Sequence, residues 1–450
     1  QVKKVVEKER LYLHQNTKKP RLRGNDGAAR IAMHYKYALD HVFEKAQEAP
    51  GVIVVEDDLL FSPDFLEYFE VNAPILERDE TTLVLSAWND NGYKGKVLDK
   101  AELQRTTFFP GLGWLLPKKL YDELRPNWPR DHWDHWLRDS EQHKGRECVI
   151  PEVPRTFHNG IKGTFMDQQT HDRLFKNIDY NTDASFSWIE AAKATADWHT
   201  VGPPTYARAM SKNYELRMRA RIAAARHIDD LNDYSGADSG GEDIVFWYKM
   251  PQTENPAGDG PSPFQPLADF FGLWHEYKRG MSEHCGMHIF RQGGETGAHV
   301  MLINSAKSCY VDLMPPDMIP PTAQQLRHVG GAVRGRQGLG DAEAMRKKAS
   351  MRVLAAEAFD VSCTDLCSAQ DLTCDDGMFG HLNACSSLKT NFPCGECAMS
   401  VGPDQPCYVS PNAPDINQSG KCLVSDNPSN SRCSASHALT RRLCPCMPTR

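Results

Sequence analysis

A run of apolar residues that stops abruptly at three carboxylates is the most informative pattern in the chain. Val52-Ile53-Val54-Val55 is continuous and mostly β-branched, and Glu56-Asp57-Asp58 follows it directly. Such a run is typical of a strand buried on both faces, in a parallel sheet covered by helices. Ligands of open α/β sheets bind beyond the carboxyl ends of the strands, and acids there favour a hard divalent cation with a phosphate ligand. The alternative is a strand that runs into an acidic surface turn.

Helical and strand periodicities alternate on both sides of this run. Apolar residues between positions 31 and 46 recur with the 3.6-residue period of a helix, and Pro63 suits the first turn of another. Residues 82–85 predict a second buried strand, and a short helix opened by Pro129 is expected over about 129–139. This alternation predicts a three-layer α/β unit. Residues 140–165 are rich in Gly and Arg, and we expect them to be loop.

The composition changes after about residue 185. Residues 206–228 are rich in Arg and Ala and predict helix, and an amphipathic stretch at 266–280 predicts another. Strand-like runs occupy residues 244–248, 286–290 and 299–303. Together these elements predict a small α+β subdomain, followed at 320–358 by a segment of Pro, Gly and mixed charge that is typical of a linker.

Cysteine is distributed very unevenly. Residues 1–362 contain three cysteines and residues 363–450 contain eleven. That density predicts a disulfide scaffold and an oxidising compartment. Zinc is the alternative, because Cys394 and Cys397 have a ligand-like spacing, although the other spacings are irregular. The odd count predicts one thiol that is free or pairs outside this segment.

Charge and hydropathy exclude other classes of function. The 450 residues include 52 basic and 59 acidic ones, a net charge of −7, and form no long basic stripe, so nucleic acid is not expected as a partner. No apolar run approaches the ~20 residues that span a bilayer, and no signal peptide is recognisable. The chain begins with Gln1, and we interpret it as a fragment or processed form, so the intact protein can carry targeting signals of its own.

Eight short blocks follow one another in a recognisable order. They are Ile31-Ala-Met-His34-Tyr35, Val54-Val-Glu-Asp-Asp58, Ser62-Pro-Asp-Phe65, Leu85-Ser-Ala-Trp-Asn-Asp-Asn-Gly92, Phe108-Phe-Pro-Gly-Leu-Gly-Trp114, Trp133-Asp134-x-Trp136, Lys144-Gly-Arg146 and Pro154-Arg-Thr156. In this order they resemble the N-acetylglucosaminyltransferase I family. The resemblance implies a GT-A (Rossmann-like) nucleotide-sugar transferase domain. It also implies transfer of N-acetylglucosamine from UDP-GlcNAc to O2 of a terminal α-mannose, with inversion and with Mn²⁺ as cofactor.

The same resemblance gives roles to the acidic residues. Asp58 matches the metal ligand, and Glu56 and Asp57 match residues that hold the ribose and sugar of the donor. Asp134 matches the catalytic base. The local alternative for the first three is a charged surface at a strand end, and for Asp134 an acid that complements a helix dipole.

Further residues match the donor side of the family's site. His34 matches the nucleotide-facing histidine, and Leu112 and Trp133 match walls of the donor pocket. Arg146 matches a residue that contacts the diphosphate or orders the following loop. Residues 160–163 resemble a loop that closes over the donor and excludes water from a hydrolysable sugar nucleotide.

Three departures from the family pattern are visible. Phe165, with Thr164 beside it, stands where the family has a donor-contacting serine. Val84 stands where the family has the disulfide partner of Cys148, so that disulfide cannot form. The family's first strands, which carry an arginine and an aspartate that bind uridine, would lie upstream of Gln1. We therefore expect this chain by itself to be nearly inactive.

The cysteine-rich segment resembles a different protein tail. Its spacing Cys363-x3-Cys367-x6-Cys374, its Gly380-His-Leu-Asn383 and its run from Cys433 to Cys446 resemble the C-terminal tail of N-acetylglucosaminyltransferase V. A stabilising or partner-binding role without catalysis is the simplest expectation. The expected domains are residues 1–190 (catalytic, lacking its first strands), 191–319 (α+β), 320–358 (linker) and 359–450 (cysteine-rich).

These inferences lead to one main functional hypothesis with two alternatives. The main hypothesis is a Golgi-lumen glycosyltransferase of the N-glycosylation pathway that binds UDP-GlcNAc and a mannose-terminated glycoprotein glycan. We expect a single-pass type II membrane protein, whose N-terminal anchor is absent from this chain. The alternatives are a transferase for O-mannose glycans and a non-catalytic glycan-binding protein.

Overall fold

The computed structural model of the chain divides into two compact units. It describes residues 2–16, 27–194, 204–234, 241–250, 264–274, 282–292, 297–326, 351–425 and 428–448. The first unit comprises Gln1–Gly92 and Asp99–Tyr214, and the second comprises Tyr93–Leu98 and Glu215–Arg450. Within the described ranges, no helix has both the length and the apolar character needed to cross a membrane.

A mixed sheet forms the centre of the first unit. Its strands and a neighbouring pair are β1 (Gly51–Val54), β2 (Leu59–Phe61), β3 (Thr82–Ser86), β4 (Leu103–Thr106), β5 (Trp114–Pro117), β6 (Glu147–Pro151) and β7 (Thr156–His158). Five strands form the sheet in the order β1-β5-β3-β6-β4, and β2 pairs with β7. Only β3 and β6 pair in parallel. The expected parallel sheet is therefore wrong, because β5 runs in the opposite direction between β1 and β3.

The two strands predicted from apolar runs differ in burial. All five residues of β3 are buried, as expected. All four residues of β1 are partly exposed, because β1 lies at the edge of the sheet that the described residues form. The prediction of burial on both faces was therefore wrong for β1. The prediction of a loop at 140–165 was also wrong, since this segment contains β6 and β7. The apolar run in β6 is only Cys148-Val149-Ile150, which is too short to indicate a strand between Glu147 and Pro151.

Helices cover the sheet on both faces. The helices of this unit are α1 (Val2–Lys8), α2 (Gly27–Lys45), α3 (Phe65–Asn72), α4 (Ile75–Arg78), α5 (Lys118–Leu124), α6 (Trp133–Arg138), α7 (Ser140–His143), α8 (Gln168–Leu174), α9 (Trp188–Ala194) and α10 (Pro204–Ala209). One apolar cluster joins α2, α5 and α6 to Trp114 and Leu116 of β5. A second joins α3, α4, α9 and α10 to the intervening Leu115. Because neighbouring strand residues face opposite sides, the sheet lies between two helical layers, as the sequence predicts.

The second unit begins with a smaller α+β region. After α11 (Ser211–Ala224) come β8 (Arg226–Ile228), β9 (Ile244–Tyr248), α12 (Gln265–Phe271), β10 (Met287–Arg291) and β11 (His299–Asn304). The strands form a sheet in the order β10-β11-β9-β8. The three predicted strands are confirmed. The predicted helix at 266–280 ends at Phe271, where Gly272 adopts a φ of +67°, and residues 275–280 lie outside the described residues.

The cysteine-rich module completes the second unit. Its elements are β12 (Arg352–Ala355), α13 (Cys363–Ser368), β13 (Leu372–Cys374), α14 (Cys385–Asn391), β14 (Cys397–Ser400), β15 (Cys407–Val409), β16 (Cys422–Ser425) and β17 (Thr440–Pro448). Gln325 joins the α+β region to the module by donating to the carbonyl of Ser425 at 3.0 Å. Most of the predicted linker lies outside the described residues.

Five disulfides hold the module together. They are Cys363–Cys444, Cys367–Cys446, Cys374–Cys433, Cys385–Cys397 and Cys394–Cys422. A sixth, Cys285–Cys309, lies in the α+β region. Cys407 is a buried free thiol, which confirms the prediction that one cysteine of this segment stays outside its disulfides. Cys394 and Cys397 belong to different disulfides, so the zinc alternative is wrong.

Candidate active site

Three segments of the first unit meet at one end of the strands of its sheet. Val54 at the end of β1 pairs with Trp114 at the start of β5, which pairs with Ser86 at the end of β3. The acids at 56–58, the segment after β3 and the segment before β5 therefore leave the sheet side by side. This is the carboxyl end of β1 and β3, where ligands of α/β sheets bind.

Asp58 lies in the turn between β1 and β2, with its carboxylate half-buried. Its Oδ2 is 3.3 Å from Nε2 of His158. Its Oδ1 is buried and accepts no hydrogen bond from the residues described here. A Cβ added to Gly160 would come within 2.4 Å of Oδ2, so glycine is needed for the loop to pass so close. A buried carboxylate oxygen without a donor is unfavourable unless a cation reaches it, and the site therefore fits a divalent ion.

The protein supplies few ligands for such an ion. Among the described residues, no group of three or more His, Cys, Asp or Glu side chains is arranged to hold a metal. Most of the coordination would therefore have to come from ligand oxygens, such as those of a diphosphate, and from water.

Tyr35 links the acids at the strand end to α6. Its hydroxyl donates to Glu56 Oε1 at 2.5 Å, and its ring stacks on Trp133 with the centroids 4.1 Å apart. Burial raises the pKa of Tyr35 well above its ordinary value, and the negative charges of Glu56, Asp134 and Asp58 raise it further. The charges of Asp58, after β1, and of Asp134, in α6, therefore both reach this hydroxyl.

Asp134 occupies the first turn of α6, which begins at Trp133 and not near Pro129 as expected. The later start follows from His132, whose φ of +41° lies outside the helical region. Burial raises the pKa of Asp134, but the positive charges of Arg138 and His135 outweigh it and lower that pKa overall. Arg138 Nη1 donates to Asp134 Oδ2 at 2.8 Å. The carboxylate is thus ionised at neutral pH and suited to accept a proton.

The loop before β5 has an unusual backbone. Gly111, Leu112 and Gly113 have successive φ angles of +71°, +55° and +90°. The hydroxyl of Thr156 donates to the Leu112 carbonyl at 2.7 Å, and that of Ser86 donates to the Gly111 carbonyl at 2.9 Å. A leucine held at positive φ is strained, and such strain tends to occur at functional sites. Leu112 thus lies at the same sheet edge as the acids.

The loop after β7 extends from Asp58 to the residue before α6. Gly160 packs on Asp58, and a Cβ on Gly27 at the start of α2 would come within 2.3 Å of Thr164 Cγ2. The ring of Phe165 lies 5.9 Å from that of His132, and Phe165 remains 65% exposed. The loop therefore borders the region that contains Asp58 and Asp134, and the position expected to contact the donor carries an exposed aromatic ring.

The remaining predicted donor residues differ in burial. His34 on α2 and Asp57 in the turn after β1 are exposed, and Glu56 is partly buried. Trp133 is 6% exposed and belongs mainly to the apolar core, where its ring stacks on Trp114 at 5.8 Å. Their contacts with a donor remain predictions.

Arg146 is not brought together with the acids. Arg146 precedes β6, whose first residue Glu147 pairs with Thr82 at the start of β3. It therefore lies at the amino ends of β3 and β6, opposite the end at which the acids lie. Its guanidinium donates to both carboxylate oxygens of Glu123, at 2.7 and 3.1 Å, and to the His143 carbonyl at 3.0 Å. These contacts order the segment around it, and contact with a diphosphate stays a prediction.

Cys148 agrees with the expectation that it forms no disulfide. It is a buried free thiol, and burial raises the pKa of Cys148 strongly. A hydrogen bond with the backbone of Val84 lowers that pKa but does not offset burial. This thiol is therefore unreactive and structural.

Sequence reasoning gave no separate role to Tyr35, Arg138 or His158. Arg138 could have been found from its i,i+4 spacing to Asp134, which favours an ion pair on a helix. Tyr35 stood inside a matching block but was counted with the apolar stripe of α2. His158 approaches Asp58 through the pairing of β2 with β7, which no local pattern in the sequence indicates.

Comparison with known proteins identifies the family of the chain. Alpha-1,3-mannosyl-glycoprotein 2-beta-N-acetylglucosaminyltransferase of Arabidopsis thaliana is 36% identical to the chain over 266 residues, which are 58% of this chain and 54% of the plant protein. The chain thus spans about half the length of that relative. The family model described as "GNT-I family" matches residues 3–287 and so includes every residue of the site described above. The chain belongs to the GNT-I family.

Proposed function

We propose that the full-length protein transfers N-acetylglucosamine from UDP-GlcNAc to O2 of a terminal α-mannose, and so initiates complex and hybrid N-glycans. The observation that carries this proposal is the position of Tyr35, which contacts Glu56 and Trp133 and lies in the field of both Asp58 and Asp134. A donor-binding acid, a metal ligand and a base around one side chain form the set that an inverting transfer needs. Membership of the GNT-I family and the named plant relative support the same reaction.

Asp134 is the base in this proposal. Its ionised carboxylate accepts the proton from the mannose hydroxyl while the hydroxyl oxygen attacks the anomeric carbon from the side opposite the diphosphate. The bond between that carbon and the UDP oxygen breaks in the same displacement, so the anomeric configuration inverts. Arg138 keeps Asp134 ionised, and its contact with the Phe109 carbonyl at 3.0 Å holds the guanidinium in place.

The acids after β1 serve the donor in this proposal. Asp58 holds a Mn²⁺ ion, which when bound neutralises the charge that develops on the UDP oxygens. Glu56 and Asp57 accept hydrogen bonds from hydroxyls of the ribose and the sugar. The Tyr35 hydroxyl fixes the Glu56 carboxylate, so that part of this recognition is ordered before the donor binds.

The loop at 160–165 protects the donor from water. Its contacts with Asp58, Gly27 and His132 are made by glycine, a methyl group and an aromatic ring. Such small and apolar contacts restrict access of water without offering a nucleophile to the sugar nucleotide.

We assign the protein to the Golgi lumen, with an N-terminal membrane anchor in the full-length form. Six disulfides among the described residues support an oxidising compartment. The cysteine-rich module stabilises the chain or binds a partner and takes no part in the transfer.

The test measures donor turnover by the full-length protein with Mn²⁺ and two acceptors, a mannose-terminated N-glycan and an O-mannosyl peptide. We expect turnover with the N-glycan, its loss with a chelator, and thermal stabilisation by UDP that requires Mn²⁺. Asp58→Asn should abolish that stabilisation, whereas Asp122→Asn, at a surface ion pair with Lys118, should not. Turnover with the O-mannosyl peptide alone would reassign the acceptor. If the full-length protein showed no turnover and no thermal stabilisation by UDP with Mn²⁺, a non-catalytic glycan-binding protein would be favoured.

A further inference from the structure

We propose that His158 is a second protein ligand of the divalent ion, bound through Nε2 beside the carboxylate of Asp58. The inference rests on the proposed function, because it presupposes an ion held at Asp58 together with UDP. It adds a nitrogen ligand to a site in which the sequence indicates only oxygen.

The main chain fixes His158 next to Asp58. In the β2–β7 pair, His158 is the partner of Leu59, the residue that follows Asp58. The amide of Asn159 donates to the Asp58 carbonyl at 2.8 Å, so the backbone is bonded on both sides of the histidine. The main chain that carries the imidazole is therefore fixed next to the main chain of Asp58.

The imidazole is also held in orientation. Its side chain is 8% exposed, and its ring lies 4.7 Å from the ring of Phe175. Nε2 of His171 contacts the His158 carbonyl at 3.0 Å and supports the strand from the other side. A buried, packed ring with a fixed backbone is preorganised, as a metal ligand must be.

The separation of the two side chains suits ligands of one ion. Nε2 lies 3.3 Å from Oδ2, longer than an ordinary N–H···O hydrogen bond of about 2.7–3.2 Å. Two adjacent ligands of an octahedral ion, each at about 2.1 Å, lie about 3 Å apart. The other carboxylate oxygen, Oδ1, is buried and has no hydrogen-bond donor in the described part of the chain. Asp58 therefore presents an unsatisfied oxygen on the same carboxylate that faces the imidazole.

A nitrogen ligand has a consequence for metal preference. Imidazole suits Co²⁺ and other transition ions, whereas Mg²⁺ takes oxygen ligands almost exclusively. We expect Mn²⁺ and Co²⁺ to bind the protein–UDP complex more tightly than Mg²⁺ does. His158→Gln should weaken the binding of Mn²⁺ and Co²⁺ by about tenfold or more and that of Mg²⁺ much less, since loss of even an outer-shell partner of a metal ligand costs about 10–100-fold in affinity.

Pulsed electron paramagnetic resonance of Mn²⁺ bound to the full-length protein with UDP tests the inference directly. We expect a coupling to a directly bound ¹⁴N nucleus, which becomes a ¹⁵N coupling in protein labelled at histidine. His158→Gln should remove the coupling. His171→Gln, the same change at a neighbouring buried histidine, should retain it, because glutamine still offers a donor to the His158 carbonyl.

The outcomes separate this inference from the proposed function. Binding of Mn²⁺ that requires Asp58 and UDP but shows no nitrogen coupling would overturn the role of His158 and leave the transferase proposal intact. Absence of Mn²⁺ binding altogether would refute the proposed function and the inference together. The labelled wild-type protein gives the answer even if His158→Gln does not fold.

Discussion

The first unit and the cysteine-rich module are stabilised in different ways. The first unit contains one cysteine, the free Cys148, and places its sheet between two apolar clusters. The module has short strands and five disulfides. A large apolar core allows one sheet edge to carry unsatisfied polar groups, whereas a small one needs covalent links and has little stability to spare. This contrast supports the proposed site in the first unit.

Two individual charged groups, one in each region, illustrate the difference between a structural role and a ligand site. In the module, the buried guanidinium of Arg442 donates to the carbonyls of Asp404 and Ala435, at 3.0 and 2.7 Å. In the first unit, Asp58 keeps a buried oxygen that no described donor reaches. A buried charge surrounded by fixed partners serves the fold, whereas a carboxylate with an oxygen left over indicates a ligand.

The largest effect that would test this contrast is loss of the base. Asp134→Asn keeps the size of the side chain but removes the proton acceptor, so kcat should fall by about 10²–10⁴-fold with little change in the KM for UDP-GlcNAc. Steady-state kinetics of the full-length protein measure this. Asp139→Asn, at the exposed residue that follows α6, is the control and should keep full activity. A rate within about twofold of wild type for Asp134→Asn would contradict the assignment.

The next effect concerns the module alone. Replacing Cys363 and Cys444 together with serine opens one of two neighbouring disulfides that close nearly the same loop. Because Cys367–Cys446 remains, the free energy of unfolding of the module should fall by only about 2 kcal/mol. Denaturant unfolding measures the loss. Cys407→Ser, which breaks no disulfide, should cost about 1 kcal/mol. Thermal stabilisation by UDP with Mn²⁺ should survive in both variants, and its loss in the double variant alone would show that the module contributes to the site.

A smaller effect tests the order that Tyr35 gives to the donor acids. Tyr35→Phe removes the bond to Glu56 and keeps the stacking on Trp133, so the KM for UDP-GlcNAc should rise about tenfold, as loss of a hydrogen bond to a charged group predicts. Tyr37→Phe, on the same helix, should change it less than twofold. Equal effects of the two substitutions would mean that the hydroxyl of Tyr35 does not prepare Glu56.

The smallest effect is a shift in pH dependence. The pKa of Asp134 is lowered, since Arg138 and His135 outweigh burial, so kcat/KM should fall only as the pH drops through that low value. Arg138→Gln removes the main cation while burial continues to raise the pKa, and the acid limb should move to higher pH. Arg138→Lys keeps a positive charge and should restore most of the wild-type profile. An unchanged limb in Arg138→Gln would show that Arg138 does not set this pKa.

The parts of the fold that the sequence predicted are those with a strong local period. The helix over 31–46 and the strands at 82–85, 244–248 and 299–303 each have a long enough apolar pattern to stand out. Strand β6 was missed because its apolar core has three residues. The antiparallel direction of β5 was also missed, because the sequence of a strand does not determine which strands pair with it.

The site was predictable only where it is local. The acids after β1 and Asp134 in α6 belong to short blocks that carry their own pattern, and both could be singled out as candidates from the sequence. The contacts of Tyr35 with Trp133 and of His158 with Asp58 join segments far apart in the chain, and only the fold brings them together. Arg146 belongs to a matching block as well, but it lies at the end of the sheet away from the acids, and the block itself does not indicate this.

The connectivity of the module constrains how the polypeptide matures during synthesis. Cys363 and Cys367 at its first helix pair with Cys444 and Cys446 in its last strand. These covalent links must wait until β17 has left the ribosome, by which time the preceding unit has been translated completely. A premature stop codon ahead of Cys444 would leave Cys363 and Cys367 without their native disulfide partners. Such a product would expose free thiols that can exchange with other disulfides.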